Sequence, residues 1–505
     1  MAHAVSFSPG ALAECRSLAF WMKRSLEELS KLRSELTNGT VHDLRVALRR
    51  CRSVAATLEE VDPHPDWEEM RGCARKLFRS LGELRDAHVM AEWLSKLHPE
   101  DDPLKSQLLD SLESAEKLAR EKALHRAARF DERRWKKLSR NLVARMRRVP
   151  IDGDAAHCLA LERLEEAKEL HRRAMRTESA KPWHALRIGV KRFRYATEAL
   201  LPTAHAEWSE SLKRVQDVLG NIHDLDVLVE MLKKARAGQP GEKDADWETR
   251  IEGARQENVE TYRQLALGTA SVWSTWLDGF PRNNWEKYAN ARIRATRAAM
   301  DAKPARNTIV ARMAVRIWSQ LRTRKAGEVF SDRKERRVLE AAARLSGVRD
   351  PGARKSREKS ARTFLLKSPL PPRWTFAEWE RAAWAIRFQR GPEPDHRNKR
   401  FSRLSAEQQA QICLLAGILR LAIAVQKCAV TATSDVRLEA LPQGFLLHIG
   451  GVEDTPKNTL RFAEAKRLLE RSLRKTFLIQ PEPHHDPSAV RKTAFDSPVP
   501  ISIIQ

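Results

Sequence analysis

The chain has 505 residues, of which 42% are hydrophobic, and its 92 Lys and Arg against 67 Asp and Glu give a formal net charge of +25. This length allows two or three domains, and this share of apolar residues excludes a chain that is disordered throughout. The positive surplus predicts attraction to a polyanion, such as nucleic acid, acidic lipid or a phosphate polymer, and selects none of the three. About +18 of it lies after residue 300, so the earlier residues must owe any anion affinity to the arrangement of their charges.

The six cysteines are scattered, with no C-x-x-C pair and no histidine beside them at the spacing of a zinc site. They predict a reducing, cytoplasmic setting without structural metal, and nothing in the sequence calls for a cofactor. The first twenty residues show no basic leader followed by a cleavable apolar core, and no run of eighteen apolar residues suggests a membrane span. We expect a soluble protein with no membrane partner.

In chain order, most of the sequence has apolar residues at steps of three and four, which predicts a mainly α fold. One exception, LEALPQGFLLHIGG (438–451), predicts two short strands around a Pro-Gln-Gly turn. Pro304 marks a break between two helical modules. The predicted segments are a helical block, a linker helix, a second helical module ending in a small α/β piece, and a Pro-rich disordered tail: residues 10–285, 286–307, 308–480 and 481–505.

The most informative feature is a phrase that occurs twice, as VHDLRVALRRCRS (41–53) and WHALRIGVKRFRYATEALLP (183–202). In each copy, steps of three, four and three place one histidine and three cations on one face of a helix, while another face is apolar. The cationic rows are His42, Arg45, Arg49 and Arg52, matched by His184, Arg187, Lys191 and Arg194. The apolar faces are Leu44, Leu48, Cys51, Ala55 and Leu58, matched by Leu186, Val190, Phe193, Thr197 and Leu200.

A second phrase also recurs, as RKLFRSLGELRDAHV (75–89) and KRVQDVLGNIHDLDV (213–227). It aligns Gly82 with Gly220, and a glycine inside a helix, which costs about 1 kcal/mol relative to alanine, indicates close helix–helix approach. Repeat units of about 140 residues predict a pseudo-symmetric pair of antiparallel helical bundles, over about residues 10–145 and 150–285. Further aligned pairs are Arg75 with Lys213, Lys76 with Arg214, and Asp86 with Asp224.

A row of cations on one helix face is most often solvated surface, but solvated faces usually mix charges because like charges at this spacing destabilise a helix. Neither row contains an acid, and the repulsion is kept in both copies, so we interpret the rows as a polyanion site. His42 and His184 have no second metal-ligating residue three or four positions away and no nucleophile beside them. We therefore expect them to donate to phosphate, and neither to bind metal nor to catalyse.

These phrases resemble those of the CHAD domain, the conserved histidine α-helical domain, over about residues 10–285. The resemblance implies two pseudo-symmetric helical bundles whose basic residues and histidines line a groove that binds inorganic polyphosphate. The E-x-E-x-K motif of the triphosphate-tunnel catalytic domain, which many relatives carry, is absent. The implied binding residues are His42, Arg45, Arg49, Arg52, His184, Arg187, Lys191 and Arg194, followed by Arg75, Lys76, Lys213 and Arg214.

From about Arg312 the chain is similar to the carboxyl-terminal domain of the exopolyphosphatase and guanosine-pentaphosphate phosphohydrolase family, which implies a helical module of the histidine–aspartate type. The resemblance is carried by FSDRKERRVLEAAARLSGV (330–348), KSARTFLLKSPLP (359–371), WERAAWAIRFQRG (379–391), FSRLSAEQQAQICLLAGILRLAIAVQ (401–426) and RFAEAKRLLERSLRKTFLI (461–479).

The departures from that family predict that its chemistry is lost. Leu345 and Ser346 stand in the histidine and aspartate places, and Gln389 stands in a histidine place, so a divalent-metal centre lacks its ligands. No Gly-rich phosphate loop of the family's ATPase-like catalytic domain precedes the match. The cations found instead form either a solvated basic loop or a second patch for the same polymer: Arg344, Arg349, Arg354, Lys355, Arg357, Lys359 and Arg362.

The sequence therefore predicts a non-enzymatic protein that binds inorganic polyphosphate in the cytoplasm, with polyphosphate granules as its setting. One alternative is nucleic-acid binding, for which net charge would suffice. The three tyrosines and the Trp residues at core spacing, such as Trp67, Trp183 and Trp318, offer it no stacking platform. The other alternative is an accessory domain of a polyphosphate or nucleotide phosphohydrolase, which needs a carboxylate–metal centre that the sequence does not assemble.

Overall fold

The computed structural model describes residues 18–97, 103–177, 179–235, 244–300, 304–348, 357–395, 398–428 and 436–482. Helices make up 78% of these residues and a single three-stranded sheet is present among them, which confirms the predicted mainly α fold. The chain divides into two compact units, residues 1–295 with 371–373 (unit 1) and residues 296–370 with 374–505 (unit 2). From residue 483 onward, the tail predicted to be disordered lies outside the described residues.

Within its described ranges, unit 1 consists of two sets of five helices and one further helix. The first set is α1 (Leu18–Ser34), α2 (Asn38–Leu58), α3 (Pro65–Leu97), α4 (Pro103–Ala128) and α5 (Glu132–Met146). The second set is α6 (Asp154–Ala174), α7 (Ala180–Leu200), α8 (Pro202–Ala235), α9 (Asp244–Ala266) and α10 (Val272–Asp278). A 3-10 turn (Arg282–Asn284) leads into α11 (Trp285–Met300). Neighbouring helices pack in the same order in both sets, so the sequence repeat is a structural repeat.

The repeated phrases form the second and third helices of each set. α2 begins at a capping box, in which the Thr40 N–H donates to Thr37 Oγ1 at 3.2 Å and the Thr37 N–H donates to Thr40 Oγ1 at 2.9 Å. The apolar faces predicted for α2 and α7 are confirmed, since none of their ten side chains is more than 1% exposed. This burial fixes the rotation of both helices and thereby the direction of their cationic faces.

One apolar core joins the two sets. Leu48 of α2 and Val190 of α7 belong to the same cluster of buried side chains, and α2 packs directly on α7. Arg50 of α2 also forms an ion pair of 2.5 Å with Glu198 of α7. The two repeats are therefore halves of one body, with α2 and α7 at the junction.

The segment predicted to be a linker helix is part of unit 1 over its first half, so that prediction was wrong there. Tyr288 of α11 belongs to the apolar core of unit 1. Arg292, which is 2% exposed, pairs with Glu162 of α6 at 2.7 Å. A charged residue of α11 is thus buried in an ion pair. The boundary between the units falls inside the helix, after Ala295. The next helix begins at Pro304, the predicted break.

Unit 2 has six helices and one sheet among its described residues. The helices are α12 (Pro304–Thr323), α13 (Arg333–Arg344), α14 (Arg357–Lys367), α15 (Phe376–Arg387), α16 (Ala406–Cys428) and α17 (Pro456–Leu473), with a 3-10 turn at Glu328–Ser331. The sheet contains β1 (Val436–Leu441), β2 (Gly444–Gly450) and β3 (Thr476–Glu482).

The sheet has the order β1–β2–β3, with β1 antiparallel and β3 parallel to β2. The register pairs Leu438 with Leu447, and the Pro-Gln-Gly turn connects β1 to β2 as predicted. β3 was not predicted, because seven residues directly after α17 carry too short a pattern to be separated from the helix.

α16 is the buried centre of unit 2 and packs against α12, α15 and α17. Gly417 permits the closest of these approaches, because a Cβ there would lie 2.8 Å from the backbone nitrogen of Leu469 in α17. By length and composition alone, α16 is the one described helix that could cross a membrane, and 72% of its apolar window is buried inside the protein. A buried core helix passes the same test.

The buried face of α2 predicts a specific loss of stability. Leu48→Ala leaves a cavity in the shared core, so we expect the free energy of unfolding to fall by about 2–5 kcal/mol. Leu118→Ala in α4, whose side chain is 54% exposed, is the matched control and should change it by less than about 0.5 kcal/mol. Urea denaturation followed by circular dichroism measures both, and equal losses would contradict the rotation of α2 described above.

Candidate anion-binding cleft

A cleft of about 950 Å³ lies between the two halves of unit 1. Its walls come mainly from the repeated helices, α2 and α3 of the first set and α7 and α8 of the second. The two cationic rows share this cavity because the buried apolar faces of α2 and α7 turn them toward it. Six of the twelve predicted site residues line it: His42, Arg45, Arg49, Arg52, Arg187 and Lys191.

Two arginines of the first row are held on the ring of Phe78 in α3. The guanidinium carbons of Arg45 and Arg52 lie 5.0 and 4.4 Å from the ring centroid, and Arg45 Nη1 donates to the Phe78 carbonyl oxygen at 3.3 Å. A Cβ at Gly82 would lie 2.8 Å from Arg45 Nη1. Gly82 therefore makes room for a guanidinium and not for a neighbouring helix. At Gly220 nothing lies within 4 Å of the Cβ position, so the predicted close approach was wrong there.

Cations from the two repeats are close enough to repel one another. Arg49 reaches from α2 to α7, where its Nη1 donates to the Tyr195 hydroxyl oxygen at 3.2 Å. Burial, followed by the like charges of Arg187 and Arg49, lowers the pKa of Lys191 to about 7. Burial, followed by Arg49, lowers the pKa of Arg45 to about 10, and burial also lowers the pKa of Arg187. The empty cleft thus holds positive charge that an anion would neutralise.

Two aspartates lie among these cations, Asp86 of α3 and its repeat equivalent Asp224 of α8. Loss of hydration raises the pKa of Asp224 to about 6, against the opposing influence of Arg187 and Lys191. It also raises the pKa of Asp86, although that side chain stays exposed on the cleft wall. The rows themselves are free of acids, as predicted, but the neighbouring helices bring acids to the cleft. Within the described residues, neither aspartate forms an ion pair with a cation of the rows.

The two histidines of the rows have different surroundings. His42 lines the cleft, whereas His184 lies in an adjoining groove. There the His184 Nδ1 is 3.1 Å from Nδ1 of His223, which lines both cavities, so His184 is not alone as the sequence suggested. Burial, followed by the charge of Arg187, lowers the pKa of both rings, that of His223 to about 4. The described residues contain no group of three or more side chains that could hold a metal ion.

Five further predicted residues do not line the cleft. Arg194 Nη1 donates to Gln216 Oε1 at 3.0 Å, and Gln216 belongs to the cleft wall, so Arg194 supports that wall. The other four are exposed on α3 and α8 outside the cleft, which corrects their grouping with it. Phe78 and Gln216, three residues further along these helices than Arg75 and Lys213, line the cavity, whereas the four side chains are exposed to solvent. These four are Arg75, Lys76, Lys213 and Arg214.

The structure adds cleft residues that the sequence prediction did not assign. Arg85 and His223 occupy equivalent positions in the second repeated phrase, beside the aligned aspartates, so the alignment already contained the signal that would have found them. Arg163 lies in α6, outside both phrases, where it pairs with Glu166 at 2.6 Å and also with Glu60, and only the fold brings it to the cleft. Arg71, Arg192 and Tyr195 also line the cleft.

In unit 2, positions that lack the expected metal ligands come together. Gln389 Nε2 donates to the Ser346 carbonyl oxygen at 3.0 Å, and both residues are buried. Of the basic residues found instead of ligands, Arg344 pairs with Glu340 at 2.6 Å. The Arg362 guanidinium lies over a tryptophan ring. Outside the described part of the chain lie Arg349, Arg354 and Lys355, with the side chains of Arg357 and Lys359.

Comparison with protein families matches the CHAD domain to residues 22–233, which include every residue of the cleft. Among solved structures, the crystal structure of the CHAD domain from the plant Ricinus communis is similar at 22% sequence identity, with a TM-score of 0.36. That similarity covers 54% of this chain and 92% of that chain. No curated protein matches. The family match lies wholly within unit 1 and does not extend to the carboxyl-terminal module. Residues 22–233, less than half of the chain, thus match the CHAD domain.

Proposed function

We propose that the cleft of unit 1 binds inorganic polyphosphate and that the protein does not process the polymer. The observation that carries this proposal is the convergence of two cationic rows, one from each repeat, on one cavity in which Arg45, Arg187 and Lys191 repel one another. A chain of phosphates offers oxygens for charge-assisted hydrogen bonds along its whole length, and its binding releases counterions. The CHAD domain, which is associated with polyphosphate binding, supports the same ligand.

The lining of the cleft favours a bare phosphate chain over a nucleic acid. Apart from histidine, the aromatic residues of the described lining are Phe78 and Tyr195. Phe78 is covered by Arg45 and Arg52, and Tyr195 is buried, with only 8% of its surface exposed. Bases would find no free aromatic face here, although stacking on such faces is a main source of affinity for single strands. A polymer made of phosphate alone needs no such face.

For unit 2 we propose a degenerate relative of the exopolyphosphatase carboxyl-terminal domain that has lost hydrolysis. The contact between Gln389 and Ser346 supports this, because two places that would hold metal ligands in an active relative meet here as an amide and a carbonyl group. A divalent-metal centre of that type needs imidazoles and carboxylates. The protein would then act as a binding protein in the cytoplasm, at polyphosphate granules, where the polymer is concentrated.

Competition between polymers tests the choice of ligand. We expect long-chain polyphosphate to displace labelled single-stranded RNA at equal phosphate concentration. The logarithm of affinity should fall linearly with the logarithm of salt, by about 0.7 for each phosphate neutralised. Fluorescence anisotropy over a range of salt concentrations measures both. Preference for RNA would refute the proposed ligand, and shortening of the chain in the presence of Mg²⁺ would refute the proposed absence of hydrolysis.

Reversal of one charge in each row tests the cleft itself. Arg45→Glu with Arg187→Glu should weaken polyphosphate binding by about 100-fold or more, because each removes a charge-assisted hydrogen bond of about 1.5–3 kcal/mol. The matched control, Arg133→Glu with Lys137→Glu, makes the same change in net charge at exposed positions of α5, none of whose residues lines the cleft. It should weaken binding by less than about threefold at physiological salt.

Isothermal titration calorimetry measures both double variants, and circular dichroism verifies that each retains its helices. Equal losses in the two would mean that affinity follows net charge and not the arrangement of the cleft.

Lys191 and Asp224 should make this affinity depend on pH. A bound polyanion favours the charged lysine and the neutral aspartic acid, so it raises both pKa values and the complex takes up protons. From pKa values of about 7 for Lys191 and about 6 for Asp224 in the empty cleft, we expect affinity to fall as pH rises from 5 to 8. Anisotropy titrations with long chains at constant ionic strength measure this profile.

Two variants separate the contributions of these groups. Lys191→Arg stays charged over this range and should flatten the profile above pH 7, while Asp224→Asn should flatten it around pH 6. A wild-type profile in both variants would show that neither group is coupled to the ligand.

A further inference from the structure

Unit 2 contains a basic cavity that plays no part in the cleft of unit 1. Its volume is about 550 Å³, within the usual range of small-molecule sites. Residues of α14, of α15 and of the segment between α15 and α16 line it. Thr363 and Asn398 contribute neutral polar groups. Four cations line the same cavity: Arg362, Arg387, Lys399 and Arg400.

An aromatic cluster forms the base of this cavity. The rings of Trp384 and Phe388 stack with centroids 5.3 Å apart and planes at 11°, and neither residue is more than 3% exposed. The Arg362 guanidinium carbon lies 3.8 Å from the Trp384 ring centroid, and that of Arg387 lies 5.6 Å from the Phe388 ring centroid. Contacts with aromatic faces thus hold both guanidiniums without neutralising them, so N–H donors remain for a ligand.

The cations of the cavity are not held in ion pairs. In the part of the chain that the structure describes, none of Arg362, Arg387, Lys399 and Arg400 forms an ion pair. Burial lowers the pKa of Arg362. The charge of Glu380 opposes this effect, and the like charges of Arg400 and Arg387 add to it. Three guanidiniums therefore lie close enough to repel one another in the empty cavity.

An adjoining basic cavity of similar size differs in this respect. Its Arg420 donates to the carbonyl oxygens of Phe388 and Gly391, both at 2.8 Å, and so holds the loop that follows α15. Its Arg461 donates to Cys428 Sγ at 3.4 Å. These arginines have structural partners, whereas the cations of the first cavity face open space.

Two carboxylates line the first cavity as well. Glu393 is already paired with Arg471, which lies outside the cavity, at 2.7 Å. Asp395 is exposed beside it. Four cations against these two acids and the nearby Glu380 leave a positive site, and a ligand with several negative charges on linked groups can reach all four.

We propose that this cavity is a second anion site, which binds a phosphoanhydride, that is, a group of two or three linked phosphates. Nucleoside triphosphates and short inorganic polyphosphates share this group. The site recognises the phosphates and not a base, because the faces of Trp384 are occupied by Arg362 and Phe388. It is independent of polyphosphate binding in unit 1.

Titration of the full chain tests the site separately from the cleft. In the Arg45→Glu, Arg187→Glu background, tripolyphosphate should still bind at one site by isothermal titration calorimetry. Adding Lys399→Ala with Arg400→Ala, both at exposed positions, should weaken that binding by about tenfold or more. The matched control, Lys457→Ala with Lys475→Ala at exposed positions of the same unit, should change it by less than about twofold.

Comparing ATP, tripolyphosphate and orthophosphate shows whether the cavity recognises the linked phosphates or a nucleotide. ATP and tripolyphosphate should bind within about threefold of each other, and orthophosphate about tenfold or more weakly. Equal loss in the control pair, binding of orthophosphate as tight as that of tripolyphosphate, or binding of ATP alone would overturn the proposal. If the background variant fails to fold, Lys399→Ala with Arg400→Ala in the wild-type chain should remove one of two binding events for tripolyphosphate, and retention of both would overturn it.

Discussion

Two rows of like charges face each other in unit 1 because the apolar side chains beneath them are buried in one core. Neither α2 nor α7 can rotate its cations into bulk solvent without exposing leucines and a phenylalanine that are now fully buried. Burial of such a side chain contributes about 1.5–3 kcal/mol to stability, whereas a like-charge pair on a helix costs only a few tenths of a kcal/mol. The repulsion therefore persists in the folded protein, and an anion bound in the cleft would relieve it.

The parts of the site that could be predicted are those that depend on local geometry. Steps of three and four residues placed Arg45, Arg49 and Arg52 in one row beside the apolar face of α2, and that holds wherever the helix lies. The position of Arg75 could not be predicted in this way, because Arg71 and Phe78 on either side of it in α3 line the cleft while Arg75 itself is exposed outside it. Asp86 was aligned correctly, but its place among the cations follows from the packing of α3 and α8 on either side. The early part of α11 was misassigned for a similar reason, since the burial of Arg292 depends on Glu162 of another helix.

The two repeats share the same helices, but several equivalent positions carry different side chains. In the first half Arg52 lies on the ring of Phe78, while its equivalent Arg194 bonds the amide of Gln216 at the position equivalent to the ring. Arg85 in the first half corresponds to His223 in the second. The first wall therefore presents mostly guanidiniums, whereas the second carries Lys191 and Asp224, whose pKa values are shifted to about 7 and about 6.

The apolar core continues beneath both rows, and Arg50 is tied to Glu198 across them, so the floor of the cleft has no hinge. Opening the cleft would expose buried apolar surface. The cleft is therefore rigid and has a fixed width. A flexible polyphosphate chain would enter such a cleft from the side and dissociate from it one segment at a time. Long chains would then remain bound longer than short ones, because more segments must detach together.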